Sequence, residues 1–271
     1  MCCDNLPSNG RVVERLVRRF AELAHPDLAA WIDSNVSFPS TKVDRIVPAM
    51  ELKDVDAFTS HTGLIDAAVL QTEPFTQWVI EDRFAAGRPA WENAGVSLVA
   101  DVRPYEEAKL RMLNGSHSAL AYLGYLCGCT YVHEAMALPA LRAYIDTFKK
   151  REVATSLTLP DGMDINVYRE QLRQRYDNAA LQHRTHQIAM DGSQKIPQRL
   201  LGTLRHHLKD SGPTSACSLA VVAWMRYVMG VDEVFGADLK NNRRFHDELV
   251  RWLDRLLNDG ALKTVEYFNT Q

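Results

Sequence analysis

The sequence predicts an α/β segment over residues 1–98 followed by a mainly α-helical domain over residues 99–271. Before residue 100, short runs rich in β-branched residues alternate with helix-like spacing. After residue 104 the apolar spacing is almost wholly helical. With 271 residues, 46% of them hydrophobic, the chain can bury one large core or two smaller ones.

The first helix is predicted over residues 11–24, where Val12, Val13, Leu16, Val17, Phe20 and Leu23 follow a turn at Pro7, Asn9 and Gly10. Strands are predicted over 43–47 and 96–102, each bounded by Pro or Gly. A long helix opens at Lys109 and runs through Leu120, Tyr122, Leu123 and Leu126. Further helices are predicted over 140–154, 164–176, 194–208, 214–229 and 241–257, punctuated at Pro139, Pro160 to Gly162, Gly192, Gly212 to Pro213 and Gly230. No low-complexity linker divides the two parts.

A formal charge of -3 offers no basic excess for nucleic acid. No stretch has the apolar length of a membrane span, and the opening Met1-Cys-Cys-Asp-Asn5 lacks the features of a secretory signal, so the cytoplasm is the expected compartment. Cysteines 2, 3, 127, 129 and 217 follow no disulfide framework. Cys127 and Cys129 with His133 nearby lack a second ligand pair, so small buried thiols and no metal are expected.

The strongest local signal is Lys109-Leu-Arg-Met-Leu-Asn114-Gly-Ser-His117. On an α-helix Lys109, Asn114 and His117 fall within a sector of roughly 140°. Burial of that helix should lower the lysine pKa, which would let it exchange a proton with an alcohol while hydride moves at the same carbon. Asn114 could donate to the developing alkoxide. A snorkelling lysine and a hydrogen-bonded core histidine are the structural alternative. A second cluster runs from His183-Arg184 to Asp191-Gly192-Ser-Gln194-Lys195, where Arg184 and Lys195 suit a carboxylate, or where Asp191 and Ser193 simply cap the next helix. The chain has no GxSxG elbow, no Walker loop and no GxGxxG turn after a strand.

Taken with Cys3-Asp-Asn5-Leu-Pro-Ser-Asn-Gly10, Ser37-Phe-Pro-Ser-Thr-Lys-Val-Asp44-Arg45 and Glu73-Pro-Phe-Thr-Gln-Trp78-Val-Ile-Glu-Asp82, the lysine segment resembles the polyol-specific long-chain dehydrogenases and reductases, the mannitol dehydrogenase family. The resemblance implies a metal-independent oxidoreductase using NAD or NADP, with NAD favoured. It also implies Lys109 as acid/base in a K-x4-N-x2-H pattern, Asn5 and Asn114 as the oxyanion-stabilising pair, His117 orienting substrate hydroxyls, and Asp44 beside the site. The segment from His183 to Lys195 resembles the fructuronate reductase branch, as does the run from Ala220 to Glu233, so Arg184 or Lys195 would meet a hexuronate carboxylate. D-fructuronate and D-mannonate are the favoured pair, fructose and mannitol the alternative, and a non-catalytic helical binding module a third reading.

Because family members reach the Cys-Asp-Asn segment only after a Rossmann-type domain, residues 1–98 are expected to be a remnant of that domain. The dinucleotide site would then lie outside the chain, which would be inactive alone or would need a separate nucleotide-binding half.

Overall fold

The computed structural model describes residues 1–228 and 243–271. The predicted break at Gly230 and the Gly-Val-Asp-Glu stretch ending at Glu233 lie outside the described residues. The chain forms two compact units, one of Met1–Val47 with Thr72–Glu107, the other of Pro48–Gln71 with Ala108–Gln271. Residues 1–98 therefore do not form one body. The segment Pro48–Gln71 joins the second unit, where Arg184 pairs with Glu51 at 2.8 Å and Gln71 N–H reaches the Met50 sulfur.

In the first unit α1 (Asn9–Ala24) and α2 (Pro26–Asn35) precede a three-stranded sheet of β1 (Thr41–Asp44), β2 (Gln77–Glu81) and β3 (Ser97–Val99). β1 pairs antiparallel with β2, Val43 opposite Trp78, and β2 pairs parallel with β3, Ile80 opposite Leu98. Val79, Ile80 and Val102 are fully buried and form the centre of this unit's core. Helix α1 forms where its spacing predicts, but Leu16, Phe20 and Leu23 are exposed, and only Asn9, Gly10 and Ala21 are buried. Gly10 is required at the start of α1, because a Cβ there would lie 2.5 Å from the Phe38 carbonyl oxygen.

The second unit is helical. It begins with α3 (Leu52–Thr62), and α4 (Arg103–Ala108) leads the chain into it from the first unit. Next come a π-helical segment, π1 (Lys109–Gly115), then α5 (Ser116–Leu126), α6 (Val132–Ala137) and α7 (Pro139–Thr147). A second wide segment, π2 (Phe148–Val153), extends α7, and α8 (Ile165–Asp177) follows. The short helices α9 (Thr185–Ala189) and α10 (Gly192–Ile196) lead through π3 (Pro197–Leu201) into α11 (Gly202–Lys209). Helices α12 (Ser215–Val228), α13 (Arg243–Asn258) and α14 (Ala261–Phe268) complete it.

Helix α5 lies at the centre of this unit, with every residue from Ser116 to Gly124 buried. Around it Tyr144, Phe148, Leu172, Leu200, Val221, Trp224 and Trp252 are inaccessible to solvent. At several glycines of this unit the packing leaves no room for a Cβ. One on Gly124 would meet the Ala135 Cβ at 2.8 Å, and one on Gly192 would meet the Trp224 indole nitrogen at 2.3 Å. No helix of the described residues is long and apolar enough to cross a membrane.

Candidate active site

The segment bearing Lys109 and Asn114 is not the α-helix that the spacing suggests. It is a π-helix, whose i→i+5 hydrogen bonds bring residues five apart close to one line along its axis. Lys109 and Asn114 are five apart, so the wider register sets them one turn from each other. Lys109 is half-buried and Asn114 is buried. His117 follows in the first turn of α5, also buried.

The Asn114 Nδ2 and His117 Nε2 atoms are buried and have no hydrogen-bond partner among the described residues, and neither has Nδ1 of His183. Leaving a buried polar atom unpaired costs about 1–3 kcal/mol, so three such atoms on neighbouring side chains call for an explanation. The His117 ring stacks on Tyr176 with centroids 5.2 Å apart and meets His183 edge-on at 4.8 Å. Tyr176 is itself fixed, its hydroxyl donating to the Leu113 carbonyl at 2.7 Å and lying 2.8 Å from Ser116 Oγ. The His183 backbone is held where its carbonyl accepts from Val132 N–H at 3.0 Å, beside an isolated antiparallel bridge between Tyr131 and Arg184.

Burial, reinforced by His183, Arg199, Arg175 and Lys195, pushes the His117 pKa well below the ordinary imidazole value. Burial and then Lys195 lower His183 to about 4. Both rings are therefore neutral near pH 7, each able to donate through one nitrogen and accept through the other.

Three cations bear on His117, namely Arg199, Arg175 and Lys195. Arg199, on π3, donates to Ser118 Oγ at 3.0 Å, and burial holds its pKa down. Lys195, on α10, reaches the Met190 carbonyl at 2.5 Å and lies 3.6 Å from Asp191, and burial with Arg199 lowers its pKa. Asp191 takes the N-cap position of α10 with φ 56° and makes no side-chain cap bond. Arg184 is exposed, paired with Glu51 at 2.8 Å and laid over the Tyr131 ring at 5.6 Å. It is thus committed elsewhere, and the arginines that act on His117 are Arg199 and Arg175.

Two expected residues lie in the first unit. Asn5 is exposed in the loop before α1, with its backbone N–H on Asp4 Oδ1 at 3.1 Å. Asp44 ends β1 fully buried, 3.3 Å from the Lys42 ammonium, which also donates to Gln77 Oε1 at 2.5 Å. Side chains two apart on a strand share a face, so Lys42 and Asp44 point inward together while Val43 is exposed. The strand thus buries a charged pair and exposes a valine.

Sequence reasoning missed His183, Tyr176, Arg199 and Lys42. His183 stood beside Arg184 in the cluster already singled out, and Lys42 stood two residues before Asp44. Tyr176 stood only as the last residue of the predicted helix 164–176, and Arg199 carried no signal. Cys127 and Cys129 are half-buried rather than buried, with both thiols pushed up by burial, Cys127 to about 11.

Residues 101–257 match the family model of the mannitol dehydrogenase C-terminal domain, and residues 1–93 match that of the mannitol dehydrogenase Rossmann domain. The chain is 49% identical to D-mannonate oxidoreductase of Escherichia coli (strain K12) over 233 residues, 86% of this chain and 48% of that protein. To a mannitol 2-dehydrogenase of Aspergillus fumigatus it is 35% identical, covering 99% of this chain and 61% of that protein. Among solved structures, Pseudomonas fluorescens mannitol 2-dehydrogenase in ternary complex with NAD and D-mannitol matches with a TM-score of 0.91 at 34% identity, over 99% of this chain and 62% of that one. The chain spans about half the length of the first curated relatives it matches.

These matches correct one expectation. Residues 1–93 carry the Rossmann-domain match, so a chain lacking that domain's part, and the need for a separate nucleotide-binding half that followed from it, do not stand. The expectation leaned on the early position of the Cys3-Asp-Asn5 segment and on a missing glycine-rich turn. That turn is one feature of such a domain, and the match does not depend on it.

Proposed function

The chain belongs to the mannitol dehydrogenase family, and from that premise we propose that it serves the NAD-dependent interconversion of D-fructuronate and D-mannonate, with Lys109 as acid/base. The observation that carries the reading is the set of buried polar atoms without partners at Asn114, His117 and His183, together with the cations Lys195 and Arg199 that bear on those rings. Neutral donors and acceptors suit sugar hydroxyls, and the two cations suit an acid group. Similarity to a D-mannonate oxidoreductase supports the same substrate class.

Lys109 takes the proton of the reacting hydroxyl in oxidation and returns it in reduction. Asn114 donates through its unpaired Nδ2 to the oxygen as negative charge develops there. His117 and His183 hold neighbouring hydroxyls, and Tyr176 keeps the His117 ring in place. Lys195 with Arg199 attracts the carboxylate. Asn5 and Asp44 are assigned, by resemblance, a second oxyanion donor and a substrate-side carboxylate. Bound NAD, favoured over NADP and acting without a metal, would supply the hydride acceptor. The unpaired atoms fit the alcohol side of this chemistry, and no residue of the chain is assigned to the dinucleotide phosphates. Residues 1–98 are assigned to the cofactor side and 99–271 to the substrate side. Five free cysteines support the cytoplasm as the working compartment.

Rates of fructuronate and fructose reduction with NADH test the assignment. Lys109→Ala should lower turnover of the preferred substrate by about 10²- to 10⁴-fold, and unchanged turnover would reject the acid/base role. The matching mannitol 2-dehydrogenase structure favours a second reading, fructose and mannitol. Lys195→Met separates the two, because it should raise KM for fructuronate and leave KM for fructose unchanged. A preference for fructose that ignores Lys195 would favour the second reading.

A further inference from the structure

A pocket of about 470 Å³ opens between α7, π2 and α8, lined by none of the residues assigned above. Its volume is in the range of small-molecule sites. Met136, Pro139 and Ile145 give it an apolar wall, and Arg142, Arg169 and Arg173 stand around it. Each arginine is already paired with a carboxylate. Arg142 meets Asp177 at 2.8 Å, Arg169 meets Asp146 at 2.5 Å, and Arg173 meets both Glu170 and Asp177.

Lys149 is different. It lines the same pocket with 3% of its surface exposed, and no carboxylate of the described residues lies within ion-pair distance of it. Its ammonium nitrogen lies 5.5 Å from the centre of the Tyr176 ring. A buried ammonium without a counter-ion is costly, and a ring face returns only part of that cost. A second donor, Nε of Arg169, is buried in the same region without a partner. With Arg142, Arg169 and Arg173 each paired to Asp146, Glu170 or Asp177, Lys149 is the cation of this pocket without an ion pair among the described residues.

We propose that this pocket binds a small organic anion, whose carboxylate or phosphate meets Lys149 and Arg169 Nε while its apolar body lies against Met136, Pro139 and Ile145. An anion would supply the direct ion pair that none of the described residues gives Lys149. Burial lowers the Lys149 pKa to about 8, as expected of an amine awaiting such a partner. The Tyr176 ring that carries Lys149 also stacks on His117, so an occupant lies one aromatic ring from the candidate catalytic side chains.

Calorimetric titration of the chain with sodium butyrate and with sodium phosphate, against sodium chloride at matched ionic strength, tests this. One equivalent of butyrate or phosphate should bind saturably, and whichever binds more tightly identifies the head group. Lys149→Met, which keeps the side-chain volume, should weaken binding at least tenfold, and Lys149→Arg should retain it. On the unaltered chain, the bound anion should slow acylation of Lys149 at least threefold relative to its exposed neighbour Lys150, read by peptide mass spectrometry. Absence of saturable binding, equal affinity in Lys149→Met, or acylation of Lys149 that ignores the anion would each overturn the proposal. Should Lys149→Met fail to fold, the acylation measurement decides alone.

Discussion

At Asn114 Nδ2 and His117 Nε2 a polar atom has given up water without gaining a hydrogen-bond partner among the described residues, and this decides what the two residues can do. A neutral imidazole exchanges hydrogen bonds with hydroxyls, whereas an imidazolium would only donate. Since burial holds His117 well below the ordinary value and His183 near 4, their ring signals in a proton NMR titration should stay still between about pH 5.5 and 8. A midpoint near 6.5 for either ring would contradict this account. The Lys109, Asn114 and His117 pattern was legible in the sequence because the three stand at fixed spacing in one apolar run. His183, Tyr176 and Arg199 were not, since each reaches the rings from a different helix or loop and nothing local in the sequence reports that convergence. Arg184 shows the reverse: its charge was legible, but its partner Glu51, 133 positions away, was not.

Among the elements, the helices of the second unit were the most legible. The spacing predicted 164–176 and 214–229, and the structure gives Ile165–Asp177 and Ser215–Val228. Period alone could not reveal that π1, π2 and π3 interrupt otherwise continuous helices, because one wide turn leaves the apolar pattern nearly intact. Nor did it reveal β2, where Trp78 and Glu81 blur the alternation. The packing of π1 against π3 makes a specific demand: a Cβ on Gly115 would lie 2.6 Å from the Arg199 carbonyl oxygen. Backbone cannot yield as a flexible side chain would. Gly115→Ala should therefore destabilise the chain by about 1–3 kcal/mol, read as a lower urea midpoint at unchanged slope. A midpoint within error of the parent would show that the two segments can part cheaply.

For the whole molecule, acid and base sensitivity converge on Glu152, buried in π2. Its carboxylate accepts the Ala216 and Cys217 backbone N–H groups at 2.7 and 2.8 Å at the start of α12, yet burial raises its pKa to about 7. A raised folded value means that the native state favours the protonated carboxyl. Its contribution is therefore complete below the ordinary value of 4.5 and is lost as pH rises through 7, by about 3 kcal/mol for a shift of this size. His183 works in the opposite sense, its contribution present above about 6.5 and lost as pH falls. The difference between parent and Glu152→Gln isolates the carboxyl: urea unfolding free energies should diverge steadily between about pH 4.5 and 7.5, and parallel curves would remove Glu152 from the account. The three π segments carry one last consequence. Each is geometrically an α-helix into which a single residue has been inserted, so the line shared by Lys109 and Asn114 depends on how many residues lie between them as much as on which residues they are. Straightening that turn with every residue kept would set Lys109 and Asn114 about 140° apart around the axis, whereas losing one position between them would leave them four apart in an unbroken α-helix, still on one face.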